Sequence, residues 1–193
     1  MLELSVEQFT DRLIRHPVIA AVRSPAQLEL ALQSPVRTIF LLAGSIVDLA
    51  ATCRRIHDSR RAGLLHLDLI DGLKPDAAGI RFIAEQIRPD GIISTRPAAV
   101  RQARQAGLLT IQRIFLIDSS ALTDGRRHMQ SSQPDLVEVL PGISPAAIRL
   151  AASQFERPLI AGGLISQRSE VMDALRAGAL AVSTGQPDLW SME

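Results

Sequence analysis

Glycines and hydroxyl side chains follow the last two apolar segments of the sequence, an arrangement typical of phosphate binding. A Gly-Gly pair ends one segment and a Ser-Thr-Gly triplet ends the next, at Gly162, Gly163, Ser183, Thr184 and Gly185. Glycine lets backbone N–H groups approach an anion closely, and hydroxyl groups donate further hydrogen bonds. We therefore predict that these five residues bind a phosphate group; the alternative is that the glycines only form tight turns.

Polar residues also interrupt the apolar run at 64–70. If this run is an extended strand, His66 and Asp68 share one face and leucines occupy the other, because side chains alternate along a strand. A charge buried without a partner is costly. Two interpretations stay open: Asp68 contacts a ligand, or it forms a structural hydrogen-bonded pair with His66.

Two later apolar runs carry further polar side chains that alternation turns inward. Glu138 lies between two valines, which makes it a second candidate interior carboxylate. Gln112 and Arg113 are adjacent, so only one of them can point inside the sheet. We predict that Glu138 contacts a ligand and that Arg113 adds positive charge beside a bound phosphate.

The residues of a metal-dependent or lysine-dependent enzyme are incomplete. Residues 66–72 resemble the His-x-Asp-x-x-Asp-Gly motif of ribulose-phosphate 3-epimerases, phosphate-binding barrels that hold a divalent metal with two histidines and two aspartates. That resemblance implies an aspartate directly before the Gly-Gly pair, where this chain has Ala161. The sole lysine, Lys74, follows the third apolar run, which excludes a strand-borne Schiff base. We expect no catalytic residue, no metal and no cofactor; the alternative is a sugar-phosphate isomerase or epimerase.

The elements that position these candidates alternate regularly along the chain. Eight short apolar runs, separated by segments of helical periodicity, span residues 18–22, 38–42, 64–70, 91–94, 108–117, 136–140, 158–161 and 179–184. Such alternation favours βαβ units and a parallel sheet, and eight units favour a compact (β/α)8 TIM-type barrel, in which ligand groups gather at the carboxyl ends of the strands. We predict one domain over residues 1–193, with an N-terminal helix at about 5–16.

Composition narrows the classes of function. Hydrophobic residues make up 47% of the chain and its formal net charge is +1, so no polycation indicates a nucleic-acid partner. The single cysteine, Cys53, lies in a helical pattern and is interpreted as a buried apolar residue rather than a reactive thiol. No apolar run approaches the roughly 20 residues of a membrane helix. We expect a cytoplasmic protein.

Several segments, in order along the chain, resemble the glycerol uptake operon antiterminator regulatory proteins of bacteria. They are residues 66–73, 89–95, 110–119, 139–142, 160–165 and 181–184. The resemblance implies a regulator that senses glycerol 3-phosphate, binds leader mRNA and prevents a terminator from stopping transcription. Under that reading Asp68 and Glu138 meet the glycerol hydroxyls.

Arginine pairs are the candidates for contact with RNA. They are Arg54, Arg55, Arg60, Arg61, Arg126 and Arg127. Arginine contacts phosphates and stacks on bases, but scattered charges on helices are more often solvated faces. No RNA-recognition motif or aromatic platform accompanies them. A homodimer would supply a larger surface.

Overall fold

Eight parallel strands form a closed barrel in the computed structural model, which describes residues 4–192. In their order around the barrel they are β1 (Val18–Val22), β2 (Thr38–Leu41), β3 (Ala62–His66), β4 (Gly91–Ser94), β5 (Leu109–Phe115), β6 (Leu136–Leu140), β7 (Leu159–Gly162) and β8 (Ala181–Thr184). β8 pairs with β1, with Ser183 opposite Ile19, which closes the sheet. The predicted (β/α)8 barrel is confirmed.

Helices connect the strands on the outside of the barrel. They are α1 (Val6–Arg15), which precedes β1, and α2 (Pro25–Gln33), α3 (Leu49–Asp58), α4 (Ala77–Phe82), α5 (Pro97–Gln105), α6 (Ser119–Ser132), α7 (Pro145–Gln154) and α8 (Arg168–Arg176). A π-helical turn, Ile83–Ile87, extends α4, and a 3-10 segment, Pro187–Ser191, follows β8 in place of a full helix. This short last unit helps eight βα modules to fit within 193 residues.

The alternation of strand side chains divides the apolar core into two parts. Ile19, Leu64 and Ile160 belong to an inner cluster that contains strand residues and part of α1 but, among the described residues, nothing from α2 to α8. Their chain neighbours, such as Leu65 and Ala161, belong to an outer cluster with the surrounding helices. The inner cluster fills the barrel with side chains, as is usual for this fold.

Helix α1 closes the amino end of the barrel. Its Phe9 and Leu13 are fully buried and join the inner cluster. Ser5 caps the helix by accepting a hydrogen bond from the backbone of Gln8, whose side chain in turn accepts from the Ser5 amide. This reciprocal pair fixes where α1 begins. The apolar plug lies at the amino end, and the polar residues of the interior lie at the carboxyl end.

The third strand is shorter than its sequence predicts. The expectation of a strand over 64–70 was wrong beyond His66, because the backbone turns there into a 3-10 segment, Leu67–Leu69. The carboxylate of Asp68 accepts a hydrogen bond from the backbone N–H of Thr95 at 2.9 Å, which draws this segment toward the end of β4. Strict alternation therefore does not hold at Asp68.

The single cysteine is a buried thiol. Cys53 is buried in α3, and desolvation, with a smaller contribution from Asp90, raises the pKa of its thiol to about 12, so the thiol stays protonated.

Among residues 4–192, no helix has both the length and the apolar character that crossing a bilayer requires.

Truncating Leu13 to alanine should lower the free energy of unfolding by about 2–5 kcal/mol, because it opens a cavity at the closed end of the barrel. The neighbouring Ile14 is 60% exposed, and Ile14→Ala should change that free energy by no more than about 0.5 kcal/mol. Denaturant unfolding followed by the fluorescence of Trp190, the single tryptophan, measures both. Equal losses in the two variants would contradict the assignment of α1 as the plug.

Candidate functional site

Three polar side chains meet at the carboxyl end of the barrel interior. Glu138 on β6 lies opposite Arg113 on β5 and is 0% exposed. Arg113 Nε donates to Glu138 Oε2 at 2.7 Å, and Ser183 Oγ donates to Oε1 at 2.6 Å. Each carboxylate oxygen therefore has one short, charge-assisted hydrogen bond. Glu138 is held in a single orientation by groups from two different strands.

Arg113 has donors left over after it pairs with Glu138. Its side chain is 7% exposed, and only its Nε has a hydrogen-bond acceptor among residues 4–192. A guanidinium carries five N–H donors in a planar fork. The two terminal nitrogens of Arg113 are therefore available to an anion in the adjoining pocket.

That pocket, here called the strand-end pocket, has a volume of about 340 Å³. The predicted site residues that line it are Arg113, Glu138, Gly163, Ser183, Thr184 and Gly185. Arg23, which directly follows β1, also lines it and was missed in the sequence. The sequence could have indicated Arg23, because a polar residue that directly follows a barrel strand lies at the carboxyl rim, where ligands bind.

Backbone amides add donors at the same rim. Gly163 and Leu164 both have positive φ angles, of 82° and 63°. Within residues 4–192 the amides of Gly163, Leu164 and Gly185 donate to no other group. Unpaired amides grouped beside a guanidinium form an environment that suits a phosphate.

Thr184 connects the two loops of this rim. Its Oγ1 donates to the carbonyl oxygen of Ile165 at 2.8 Å and accepts from the amide of Gln186 at 3.1 Å. Because the hydroxyl is engaged in both directions, Thr184 shapes the pocket wall rather than offering a free donor.

Gly162 has a role that differs from the predicted one. It pairs in register with Ser183 but does not line the pocket. A Cβ at this position would lie 2.5 Å from Glu138 Oε1 and 2.7 Å from Ser183 Oγ. Gly162 therefore makes room for the hydrogen bond between these two side chains.

Asp68 lies outside the strand-end pocket. Its Oδ2 accepts from Ser94 Oγ at 2.9 Å and from the amide and hydroxyl of Thr95, and its Oδ1 lies 3.1 Å from Arg96 Nε. The expected grouping with His66 on one strand face was wrong because β3 ends first. The carboxylate fastens the turn after β3 to the end of β4.

His66 is buried beside this network without a hydrogen bond to Asp68. Its Nδ1 lies 3.9 Å from Asp68 Oδ2, which is beyond hydrogen-bond distance, and the ring is 3% exposed. Desolvation, assisted by the positive charge of Arg113, lowers the pKa of His66 to about 4. The imidazole is therefore neutral near pH 7.

Alternation correctly separates Gln112 from Arg113. The Gln112 side-chain amide donates to the carbonyl oxygen of Thr95 at 3.0 Å, and its oxygen accepts from Ser132 of α6. Gln112 thus points toward the helices while Arg113 points into the barrel.

The six arginines predicted to contact RNA are not on one surface. Arg54 and Arg55 lie on α3, and Arg126 and Arg127 lie on α6. Arg60 and Arg61 immediately precede β3, at the amino end of the barrel.

In the part of the chain that the structure describes, no group of three or more His, Cys, Asp or Glu side chains is arranged to hold a metal ion.

Comparison with known proteins identifies relatives over most of the chain. Residues 18–190 match the family described as glycerol-3-phosphate responsive antiterminator. The glycerol uptake operon antiterminator regulatory protein of Listeria monocytogenes str. 4b F2365 is 38% identical, with a TM-score of 0.87 over 91% of this chain and 95% of that chain. A glycerol uptake operon antiterminator-related protein of Thermotoga maritima MSB8 is 28% identical, with a TM-score of 0.80 over 92% and 99%.

A further relative comes from Escherichia coli (strain K12). Its uncharacterized protein YgcP is 33% identical over 178 residues, which cover 92% of this chain and 93% of that protein.

The depressed pKa of His66 makes stability depend on pH. In the unfolded chain the His66 imidazole is protonated below about pH 6.5, whereas in the folded protein it is protonated only below about pH 4. The free energy of unfolding is therefore unaffected by His66 above pH 6.5. It should fall progressively, by up to about 3 kcal/mol, as the pH decreases from 6.5 to about 4. His66→Gln should flatten the profile in that window.

Urea unfolding at a series of pH values measures this effect. His16→Gln, which removes an exposed imidazole, is the control. A profile for His66→Gln as steep as that of the unmodified protein would contradict a buried, neutral His66.

Proposed function

We propose a function on the premise that this chain belongs to the glycerol-3-phosphate responsive antiterminator family, which its match over residues 18–190 establishes. The chain binds glycerol 3-phosphate in the strand-end pocket and, in that state, binds the leader mRNA of glycerol utilisation genes. Binding prevents a terminator from stopping transcription. The protein acts in the cytoplasm, where the transcript is made, and it performs no catalytic step.

The state of Arg113 is the observation that carries this proposal. It is a buried guanidinium, paired with Glu138 through Nε alone, whose terminal nitrogens are left for an anion at the carboxyl rim. A bidentate guanidinium contact matches the geometry of a phosphate group. The free amides of Gly163, Leu164 and Gly185 would complete the contact.

Glu138 supplies the complementary half of the proposed site. Each of its oxygens already accepts one hydrogen bond, but a carboxylate oxygen has a second lone pair. Glu138 lines the pocket but is closed to solvent, so it can accept from the hydroxyl groups of glycerol, while Arg113 binds the phosphate, only after the side chains around it move. A ligand that carries hydroxyls and a phosphate on a short carbon chain matches a site in which a guanidinium and a carboxylate lie side by side.

Asp68 is not part of the proposed contact set. Its Oδ2 accepts from Ser94 and Thr95 at the end of β4, and its Oδ1 lies beside Arg96. Gly162 and Thr184 support the pocket through Glu138, Ser183 and the rim loops rather than by touching the ligand.

Removing the buried ion pair should weaken effector binding. The double variant Arg113→Gln/Glu138→Gln leaves no buried charge unpaired, and we expect it to bind sn-glycerol 3-phosphate at least about tenfold more weakly, because charged hydrogen bonds are lost. Isothermal titration calorimetry measures the affinity, and a thermal melt verifies folding.

The matched control removes an exposed ion pair without changing net charge. Asp124 and Arg127 lie 3.2 Å apart on α6, and Asp124→Asn/Arg127→Gln should bind the effector as the unmodified protein does. Unchanged affinity in the double variant at Arg113 and Glu138 would refute the proposed phosphate contact.

The proposed function also requires that the effector strengthen RNA binding. Saturating sn-glycerol 3-phosphate should increase the affinity for a glycerol-operon leader transcript by about 5- to 150-fold, the usual range of coupling between two sites. Filter binding measures this, with glycerol plus inorganic phosphate as the effector control and a shuffled transcript as the RNA control. Equal retention with and without the effector would rule out an effector-controlled antiterminator.

A further inference from the structure

A large basic cleft lies at the amino end of the barrel, opposite the strand-end pocket. It has a volume of about 680 Å³, and its charged lining consists of Arg12, Arg15, Arg37, Arg60, Arg61 and Asp90. Two of these arginines are in the last turn of α1, and the others lie next to the first residues of β2 and β3. The fold thus collects on one face arginines that are far apart in the sequence.

The single carboxylate that lines the cleft within residues 4–192 is already engaged. Asp90 Oδ2 accepts from the amide of Gly63 at 2.7 Å and lies 3.0 Å from His57 Nε2. It joins α3, β3 and β4, and its single negative charge is outnumbered by five arginines in the lining. The cleft is therefore strongly electropositive although the whole chain carries a formal charge of only +1.

The arginines of this protein differ in whether a carboxylate lies beside them. Arg55 contacts both carboxylate oxygens of Glu29, at 2.6 and 2.9 Å. Arg127 pairs with Asp124 at 3.2 Å, whereas Arg37 and Arg60 pair with no carboxylate among the described residues.

Arg15 of the cleft lies 3.8 Å from Asp11, and the other four cleft arginines pair with no carboxylate among residues 4–192. Arginines on other faces, such as Arg54 and Arg126, also lack a carboxylate partner in this part of the chain, so the cleft is distinguished by the number of arginines that it brings together.

Arg61 forms a fixed floor for the cleft. Its Nε, Nη1 and Nη2 donate to the carbonyl oxygens of Val36, Ser59 and Ser34 at 3.0, 3.1 and 2.7 Å. Partial burial, and then the charge of Arg37, lower the pKa of the Arg61 guanidinium. Arg12 Nη1 also donates to the backbone oxygen of Arg37 at 3.2 Å, which fixes the Arg12 guanidinium beside the start of β2.

Arg60 has a backbone conformation that suits glycine. It follows Ser59, the C-cap of α3, with φ at 59°, and this left-handed position after a helix is usually glycine. An arginine here costs stability relative to glycine. Arg88 and Gln133 adopt the same conformation at other helix ends, so it does not by itself mark function. At position 60 it places an exposed cation at the edge of the cleft.

We propose that this basic cleft binds the phosphate backbone of the RNA, an inference that rests on the function proposed above. Arginines from three separate parts of the chain, spread along a large cleft, suit a chain with several phosphates better than one small anion. No Phe, Tyr or Trp side chain lines the cleft within residues 4–192, which favours contacts to the phosphate backbone over stacking on bases. The effector and the RNA then occupy opposite ends of the barrel.

Arg37→Gln/Arg60→Gly tests this location. Glycine accommodates the left-handed backbone at position 60, so the thermal midpoint should not fall below that of Arg37→Gln alone. Affinity for a single-stranded leader transcript should drop, and the slope of log K against log salt should become shallower by about 0.7 for each lost phosphate contact. Calorimetry should show unchanged binding of sn-glycerol 3-phosphate.

The matched control carries the same change in net charge on another face. Arg126→Gln/Arg127→Gln on α6 should keep both the affinity and the salt slope of the unmodified protein. If the α6 variant loses RNA binding and the cleft variant keeps it, the cleft assignment is wrong while the antiterminator proposal stands. If the unmodified protein retains no leader RNA with the effector present, both proposals fall.

Photochemical crosslinking provides an independent readout. RNA crosslinked to peptides that contain α1 or residues 57–63 would support the cleft. Crosslinks confined to α6, or to the loops around Gly163, would overturn it.

Discussion

The buried ion pair between Arg113 and Glu138 is the constraint on which the carboxyl end of this barrel depends. A carboxylate inside an apolar barrel is tolerated only when its oxygens are satisfied, and here they are satisfied by Arg113 and Ser183. That requirement explains why residue 162 is glycine, since any Cβ there would displace the carboxylate or the hydroxyl. It also leaves the outer nitrogens of Arg113 facing the strand-end pocket.

The two ends of the barrel are chemically different for a simple structural reason. Helix α1 fills the amino end with Phe9 and Leu13, so a ligand can enter the interior only from the carboxyl end. The same helix brings Arg12 and Arg15 to the amino rim, where they complete the basic cleft. One element thus closes the barrel and contributes charge to a second surface.

Strand β2 connects the two proposed sites. Arg37, directly before its first residue, lines the basic cleft, and Leu42, directly after its last residue, lines the strand-end pocket. If effector and RNA bind as proposed, the coupling between them passes through a packed barrel rather than through a shared loop, and this strand is a direct covalent route.

Much of this protein follows from the order of residue types alone. Eight apolar runs separated by helical segments determine the barrel, because each run can bury both faces only in a parallel sheet covered by helices. Alternation also sufficed to turn Glu138 inward and to place Gln112 and Arg113 on opposite faces of β5, since these residues lie well inside regular strands. Only the tertiary structure decided the place of Asp68, the purpose of Gly162 and the clustering of Arg12, Arg37 and Arg60. Where a strand ends, and which distant side chains become neighbours, is set by contacts between elements, and a local pattern does not contain those contacts.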